Sequence, residues 1–225
     1  MSQVFVSWSG GKDSSLACYR AITSGLKVHY LANMVTEDGK HSRTHRLPAK
    51  ILQMQSQAIG IPLVQRQTTW QSYESEFKKM INDFKQEGTE GGVFGDIDLA
   101  EHREWVERVC QEVNITPYLP LWGKNQDEIL NDFVNLGFEA IVVATKADML
   151  GEEWLGRKID FDFIDQLAGL KKTKGITLCG EAGEYHTLVI NGPLFQNRLE
   201  IVETRKVLRD EHWFLEILGA ELRVK

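Results

Sequence analysis

Strand-like apolar runs and helical patterns take turns through the first two-thirds of the chain, and this alternation constrains the fold more than any other feature. Val4–Trp8, Val28–Val35, Pro62–Gln65, Gly92–Phe94, Thr116–Leu119 and Ala140–Ala144 read as strands. Helices are expected near Ser14–Ser24, Pro48–Ile59 and Tyr73–Gln86, after Asp98, and at Gln126–Leu136. In the third of these, Tyr73, Phe77, Met80, Ile81 and Phe84 recur at helical spacing and mark one buried face. Strict alternation predicts an α/β fold, a doubly wound and mainly parallel sheet with helices on both faces. Ligands of such sheets gather at the carboxyl ends of the strands. Ser9–Ser14, Val35–Asp38 and Gly95–Asp98 fall there.

After Asp148 the texture changes. A helix near Phe161–Lys171 is followed by β-type stretches at Thr187–Ile190, Leu199–Thr204 and Trp213–Val224. These predict a smaller C-terminal α+β part, residues 147–225, after a larger part, residues 1–146. A length of 225 residues suits that division. The formal net charge of −6 argues against a nucleic-acid partner. Cys18, Cys110 and Cys179 are scattered, which excludes a Cys-x-x-Cys metal or redox pair. No run reaches the roughly 20 apolar residues of a membrane span, and the chain opens on a strand rather than a leader. A cytoplasmic protein without a membrane partner is expected. A homodimer is left open.

The chemistry starts where the first strand ends. Val4–Trp8 breaks into Ser9-Gly10-Gly11-Lys12-Asp13-Ser14. Adjacent glycines let backbone N–H groups approach an anion, Lys12 adds a fixed positive charge, and the serine hydroxyls donate hydrogen bonds. Asp13 or Ser14 is expected to cap a helix starting near Ser15, whose dipole also favours negative charge. Neither the Walker spacing nor a Gly-x-Gly-x-x-Gly fingerprint is present. The loop reads as a polyphosphate cradle of another kind.

Other clusters admit two readings each. Gly180-Glu181-Ala182-Gly183-Glu184-Tyr185-His186-Thr187 is either a solvated acidic turn or a loop that handles a substrate amine. Asp98 and Glu101 fit a capping box, whereas Asp96, on the strand-to-loop edge, suits a ligand or hydrated Mg²⁺. His102 faces either the cleft or the surface, and the helix dipole there favours a neutral ring. Trp122 suits packing. Arg157, beside Trp154, suits a phosphate or carboxylate.

The loop Ser-Gly-Gly-x-Asp-Ser resembles the PP-loop of N-type ATP pyrophosphatases. Together with Met34-Val35-x-Glu37, Pro120-Leu121-Trp122-Gly123, Trp154-Leu155-Gly156-Arg157 and the Gly180–Thr187 motif, the chain resembles the diphthine–ammonia ligase family over nearly its whole length. The resemblance implies a PP-loop-type fold and an enzyme that adenylates a carboxylate and transfers ammonia to it, releasing AMP and pyrophosphate. It implies that Ser9, Gly10, Gly11, Lys12, Asp13 and Ser14 hold ATP, with Asp13 near Mg²⁺. The Asn33–Met34 backbone would meet adenine, and Gly95 and Asp96 would close the nucleotide site. Trp154, Arg157, Glu181, Glu184, Tyr185 and His186 would shape the acceptor pocket, Lys12, Asp13, Glu181 and Glu184 being catalytic. Around the fourth strand the chain departs from the better-studied members, with Asp96-Ile97-Asp98 leading to His102-Arg103-x-Trp105. This departure makes His102 and Arg103 the candidate sources of acceptor preference. It keeps open an acceptor other than diphthine, as in corrinoid metabolism; a non-catalytic adenine-nucleotide sensor is a separate alternative, which would not need the intact Lys12-Asp13-Ser14 set.

Overall fold

A computed structural model describes residues 2–225. The chain divides into two compact units. One comprises residues up to Ser9 with Asp13–Trp122, and the other Gly10–Lys12 with Gly123–Lys225.

The first unit contains β1 (Gln3–Ser7), α1 (Lys12–Thr23, its first residue counted with the other unit), β2 (Lys27–Val35), α2 (Ala49–Ile59), β3 (Leu63–Gln67), α3 (Tyr73–Gln86), β4 (Gly91–Val93), α4 (Ala100–Glu112) and β5 (Thr116–Tyr118). All five strands are parallel, in the order β3-β2-β1-β4-β5. The chain winds outward from β1, then returns to add β4 and β5 on its other side. The topological switch point therefore lies between β1 and β4, where such sheets bind ligands. Val4, Phe5 and Val6 are wholly buried, which accounts for a continuous apolar run in place of alternation. The Gly-Gly of β4 has a packing cause. A Cβ on Gly92 would lie 2.6 Å from the Phe5 ring, which already packs with Phe77, Phe84 and Phe94.

α4 begins differently from the expected capping box. Leu99 occupies the cap position, one residue after Asp98, and contributes no side-chain cap bond. The Leu99 carbonyl instead accepts from His102 N at 3.0 Å and Arg103 N at 3.3 Å. The helix is fastened through Glu74 of α3, which accepts both Arg108 nitrogens at 2.8 and 2.6 Å, Lys78 Nζ at 2.5 Å and Trp105 Nε1 at 2.9 Å. Arg108, and then Lys78, hold the Glu74 carboxyl well below the usual range. A carboxyl lowered by folding stabilises the native state at neutral pH, and that contribution is lost as pH falls. Glu74→Gln is thus expected to flatten the decline of the unfolding midpoint between roughly pH 5 and 3. An unchanged acid profile would show that water screens this partly exposed network.

The second unit adds α5 (Gln126–Asn135), β6 (Glu139–Lys146), a 3₁₀ turn (Glu152–Trp154), α6 (Phe161–Lys174), β7 (Tyr185–Asn191), β8 (Asn197–Arg209) and β9 (His212–Val224). Its sheet is antiparallel, in the order β7-β6-β9-β8. This corrects the expectation for Ala140–Ala144, which is not a sixth parallel strand. The run pairs antiparallel with β7, and its end pairs with β9. A buried apolar run fits either kind of sheet, so its composition could not name its partner. β8 and β9 form a long hairpin that turns at Asp210 and Glu211, both with positive φ. Among the described residues, no helix is long and apolar enough to cross a membrane.

Candidate functional site

Gly10, at φ 79°, lets the chain turn sharply out of β1. α1 then starts at Lys12, so Asp13 and Ser14 lie inside its first turn rather than at the cap before Ser15. Ser9 and Ser14 hydroxyls meet at 3.1 Å. The exit of β4 passes close to this turn. A Cβ on Gly95 would lie 2.9 Å from the Asp13 carbonyl carbon and 3.0 Å from Ser14 N. Gly95 therefore keeps the first-turn N–H groups and the strand end in close approach, which is the arrangement an anion cradle needs.

Gly10–Lys12 belong with the second unit because β7 holds them. Val189 N donates to Gly10 O at 2.9 Å, and Lys12 N donates to Thr187 Oγ1 at 3.0 Å. The Lys12 side chain is only 3% exposed. Its ammonium donates to the Cys179 carbonyl and lies 5.1 Å from the centre of the Tyr185 ring. Two motifs some 170 residues apart in the sequence are thereby joined around one buried cation.

Within Gly180–Thr187 the residues divide by task. Glu184, 1% exposed, accepts from Thr177 N, from Thr177 Oγ1 at 2.9 Å and from Ala182 N at 3.0 Å. These bonds make it the fastener of its own loop. Tyr185 is buried, and its hydroxyl donates to Leu178 O at 2.6 Å. Gly180 adopts φ 75°, and any Cβ there would lie 2.7 Å from Tyr185 O. Glu181 is half-buried at the turn, its N–H donating to Thr177 Oγ1 at 2.8 Å. Burial first, then the charges of Lys12 and His212, push His186 down to about 4, so it is neutral at pH 7.

Trp154 and Arg157 form a packed group. Trp154 meets Phe163 edge-on, and the Arg157 guanidinium covers the indole at 4.5 Å. Its fork donates to Gln166 at 2.7 Å and Asp162 at 3.1 Å. The expectation that Arg157 offers a free fork to a ligand meets these partners instead.

In the first unit a small cavity opens at the carboxyl ends of β1 and β2, lined among others by Ser7, Ser9, Asn33, Met34, Arg43 and Tyr73. Asn33 turns its side chain to the scaffold, donating to Trp8 O at 2.8 Å. The Met34 carbonyl accepts from Arg43 N at 2.8 Å. Asp96 lies 3.2 Å from His102 Nδ1, a carboxylate partner that the dipole argument for a neutral ring leaves out. Arg103 is engaged by Glu107 at 2.6 Å and covers Trp122 at 5.1 Å. Sequence reasoning missed Arg43, and it placed Tyr73 only in the core. Burial and the nearby Asp96 charge push the Tyr73 phenol up to about 12, so it stays protonated. The one sequence signal for Arg43 was the basic cluster Arg43-Thr44-His45-Arg46 after a strand end.

Two family models account for nearly the whole chain. The diphthamide synthase N-terminal domain matches residues 2–117, and the diphthamide synthase C-terminal domain matches residues 125–222. The chain belongs to the diphthamide synthase family. A diphthine–ammonia ligase of Rattus norvegicus is 27% identical over 93% of this chain and 86% of its own length. Its counterpart in Bos taurus is 27% identical over 89% and 82%. The Schizosaccharomyces pombe ligase is 29% identical over 88% of this chain but only 36% of its own. A solved chain described as a predicted subunit of tRNA methyltransferase from Methanocaldococcus jannaschii aligns with a TM-score of 0.45 at 16% identity, covering 86% of this chain and 98% of that one, a likeness too slight to argue from. The two domain models meet close to Trp122, where the compact units also divide.

Among the described residues, no three His, Cys, Asp or Glu side chains cluster as a metal site. Mg²⁺ commonly takes one or two carboxylates together with substrate phosphates. A single carboxylate in the first turn of α1, that of Asp13, fits an ion that arrives with a triphosphate.

Proposed function

We propose that this chain is an ATP-dependent ligase that joins ammonia to a carboxylate and forms AMP and pyrophosphate, with diphthine, named for its relatives, as acceptor. The observation that carries this reading is Lys12, which sits in a Ser-Gly-Gly-Lys-Asp-Ser turn and is buried against the Gly180–Thr187 motif. A carboxylate does not react with ammonia at neutral pH because oxide is a poor leaving group. In the proposed reaction a carboxylate oxygen attacks the α-phosphorus of ATP and pyrophosphate leaves. Ammonia then displaces AMP, losing a proton as the amide forms.

The residues divide this work. Gly10, Gly11 and the first-turn N–H groups of α1 hold phosphate oxygens, and Ser9 and Ser14 add hydroxyl donors. Lys12 offsets charge that develops on the departing pyrophosphate. Mg²⁺ bound to the triphosphate would draw off further charge, with Asp13 as its protein ligand. The Asn33–Met34 backbone lies along the base, while Gly95 and Asp96 bound the nucleotide. Glu181, half-buried on the Gly180–Thr187 loop, is the carboxylate that receives the ammonium proton. Neutral His186 lies on the same motif, and His102 and Arg103 tune acceptor preference.

The two acids of the motif should separate in experiment. Glu181→Gln is expected to leave the melting temperature and ATP affinity unchanged while lowering acceptor-dependent turnover roughly 10- to 100-fold. Glu184→Gln is expected to lower the melting temperature, because an amide cannot accept all three bonds of the carboxylate. Calorimetry and a pyrophosphate-release assay on both variants provide the test. Equal turnover in Glu181→Gln would return that residue to a solvated turn.

A further inference from the structure

The loop after β2 carries an arginine whose arrangement no structural need accounts for. Arg43 N is bonded to Met34 O at 2.8 Å, which pins the loop across the end of β2. Its guanidinium lies 4.9 Å from the ring centre of Trp70, and Trp70 is itself 65% exposed. An indole left that open contributes little to a core. It does brace a guanidinium, fixing a side chain that otherwise samples many rotamers. Trp70 is backed in turn by Tyr73, at 6.1 Å between ring centres.

Arg43 lines the same cavity as Ser9, the first residue of the phosphate loop. Its Nε is buried and has no hydrogen-bond partner among the described residues. A buried charged donor without an acceptor is costly, and a native chain retains one where a ligand supplies the acceptor. The indole occupies one face of the guanidinium, so recognition falls to its N–H edge. That edge matches the oxygens of phosphate and carboxylate groups.

We propose that Arg43, braced on Trp70, binds a phosphate of the adenine nucleotide beside Ser9. This rests on the AMP-forming reading above and adds a phosphate ligand outside the Ser9–Ser14 loop. It also gives Trp70 a task, namely to hold the fork in place before the nucleotide arrives.

The test is calorimetric titration of AMP and of adenosine into the full chain and into Arg43→Ala, Arg43→Lys and Trp70→Phe. Arg43→Ala is expected to weaken AMP binding roughly 10- to 100-fold and leave adenosine binding unchanged. Arg43→Lys should recover only part of the AMP affinity, because an ammonium lacks the fork. Trp70→Phe, which keeps the arginine and a smaller brace, should cost a few-fold and keeps the test available should Arg43→Ala not fold. Tryptophan emission that changes on AMP binding in the wild type, and not in Trp70→Phe, would support the same contact. Unchanged AMP affinity in Arg43→Ala overturns the proposal, and a rise confined to the acceptor KM would give the arginine to the acceptor carboxylate instead. Equal losses for AMP and adenosine also overturn it, pointing to the base or to the fold. A wild-type chain that binds neither ATP nor AMP would remove the AMP-forming reading itself, and this inference with it.

Discussion

Lys12→Ala is expected to lower acceptor-dependent turnover about 10²-fold or more, since a charged stabiliser in a shielded site supplies several kcal/mol in the transition state. The size follows from its surroundings. Lys12 is almost wholly buried, its ammonium on the Cys179 carbonyl and over the Tyr185 ring, so little water competes for its charge. The backbone anchor from Lys12 N to Thr187 Oγ1 survives the substitution, and the turn should persist. Turnover is followed as pyrophosphate release at saturating ATP, with circular dichroism confirming the fold. Lys12→Arg should rescue poorly, because the larger guanidinium has to enter a space shaped for an ammonium. Wild-type turnover in Lys12→Ala would remove this residue from the chemistry.

Gly95→Ala is expected to lower both nucleotide affinity and the melting temperature. The added methyl would meet main-chain atoms of Asp13 and Ser14 at 2.9–3.0 Å, and backbone in a helix cannot swing aside as a side-chain tip can. Overpacking of this kind costs about 1–3 kcal/mol, which for a chain of this size is a shift of roughly 2–12 °C. ATP affinity should fall with it, since the displaced turn carries the phosphate-facing N–H groups. Gly169→Ala is the matched control. Its Cβ would meet nothing within 4 Å inside α6, so helix propensity predicts a neutral or slightly stabilising change. A Gly95→Ala protein with wild-type melting and ATP affinity would show that this approach is not part of the site.

Much of this was written locally in the sequence. The parallel sheet followed from alternation because β1 to β5 alternate with helices whose apolar faces are periodic. The turn at Ser9–Ser14 was legible because an apolar strand breaks there into two glycines and a lysine. What lay beyond local reasoning depended on partners distant in sequence. Ala140–Ala144 is buried whichever sheet takes it, so only the fold assigns it to the antiparallel one. Glu184 and Arg157 carry the same chemistry in sequence whether they meet a ligand or a neighbour. Their bonds to Thr177 and Ala182, and to Asp162 and Gln166, appear only in the folded chain. The cap position falls on Leu99 and not on Asp98, a one-residue margin that composition does not register. Arg43 was missed because its buried Nε and its place over Trp70 exist only in three dimensions.

Which bond of ATP is broken distinguishes an AMP-forming ligase from one that acts at the γ-phosphate. The nucleotide and phosphate products of a reaction containing ATP, Mg²⁺, ammonium and the diphthine-bearing acceptor can be separated by anion-exchange chromatography. One AMP and one pyrophosphate for each amide formed is the predicted result, from cleavage between the α and β phosphates at the loop that holds Lys12. ADP and inorganic phosphate as the products would contradict it, since they would place the reaction at the γ-phosphate and leave the Ser9–Ser14 turn without its assigned task.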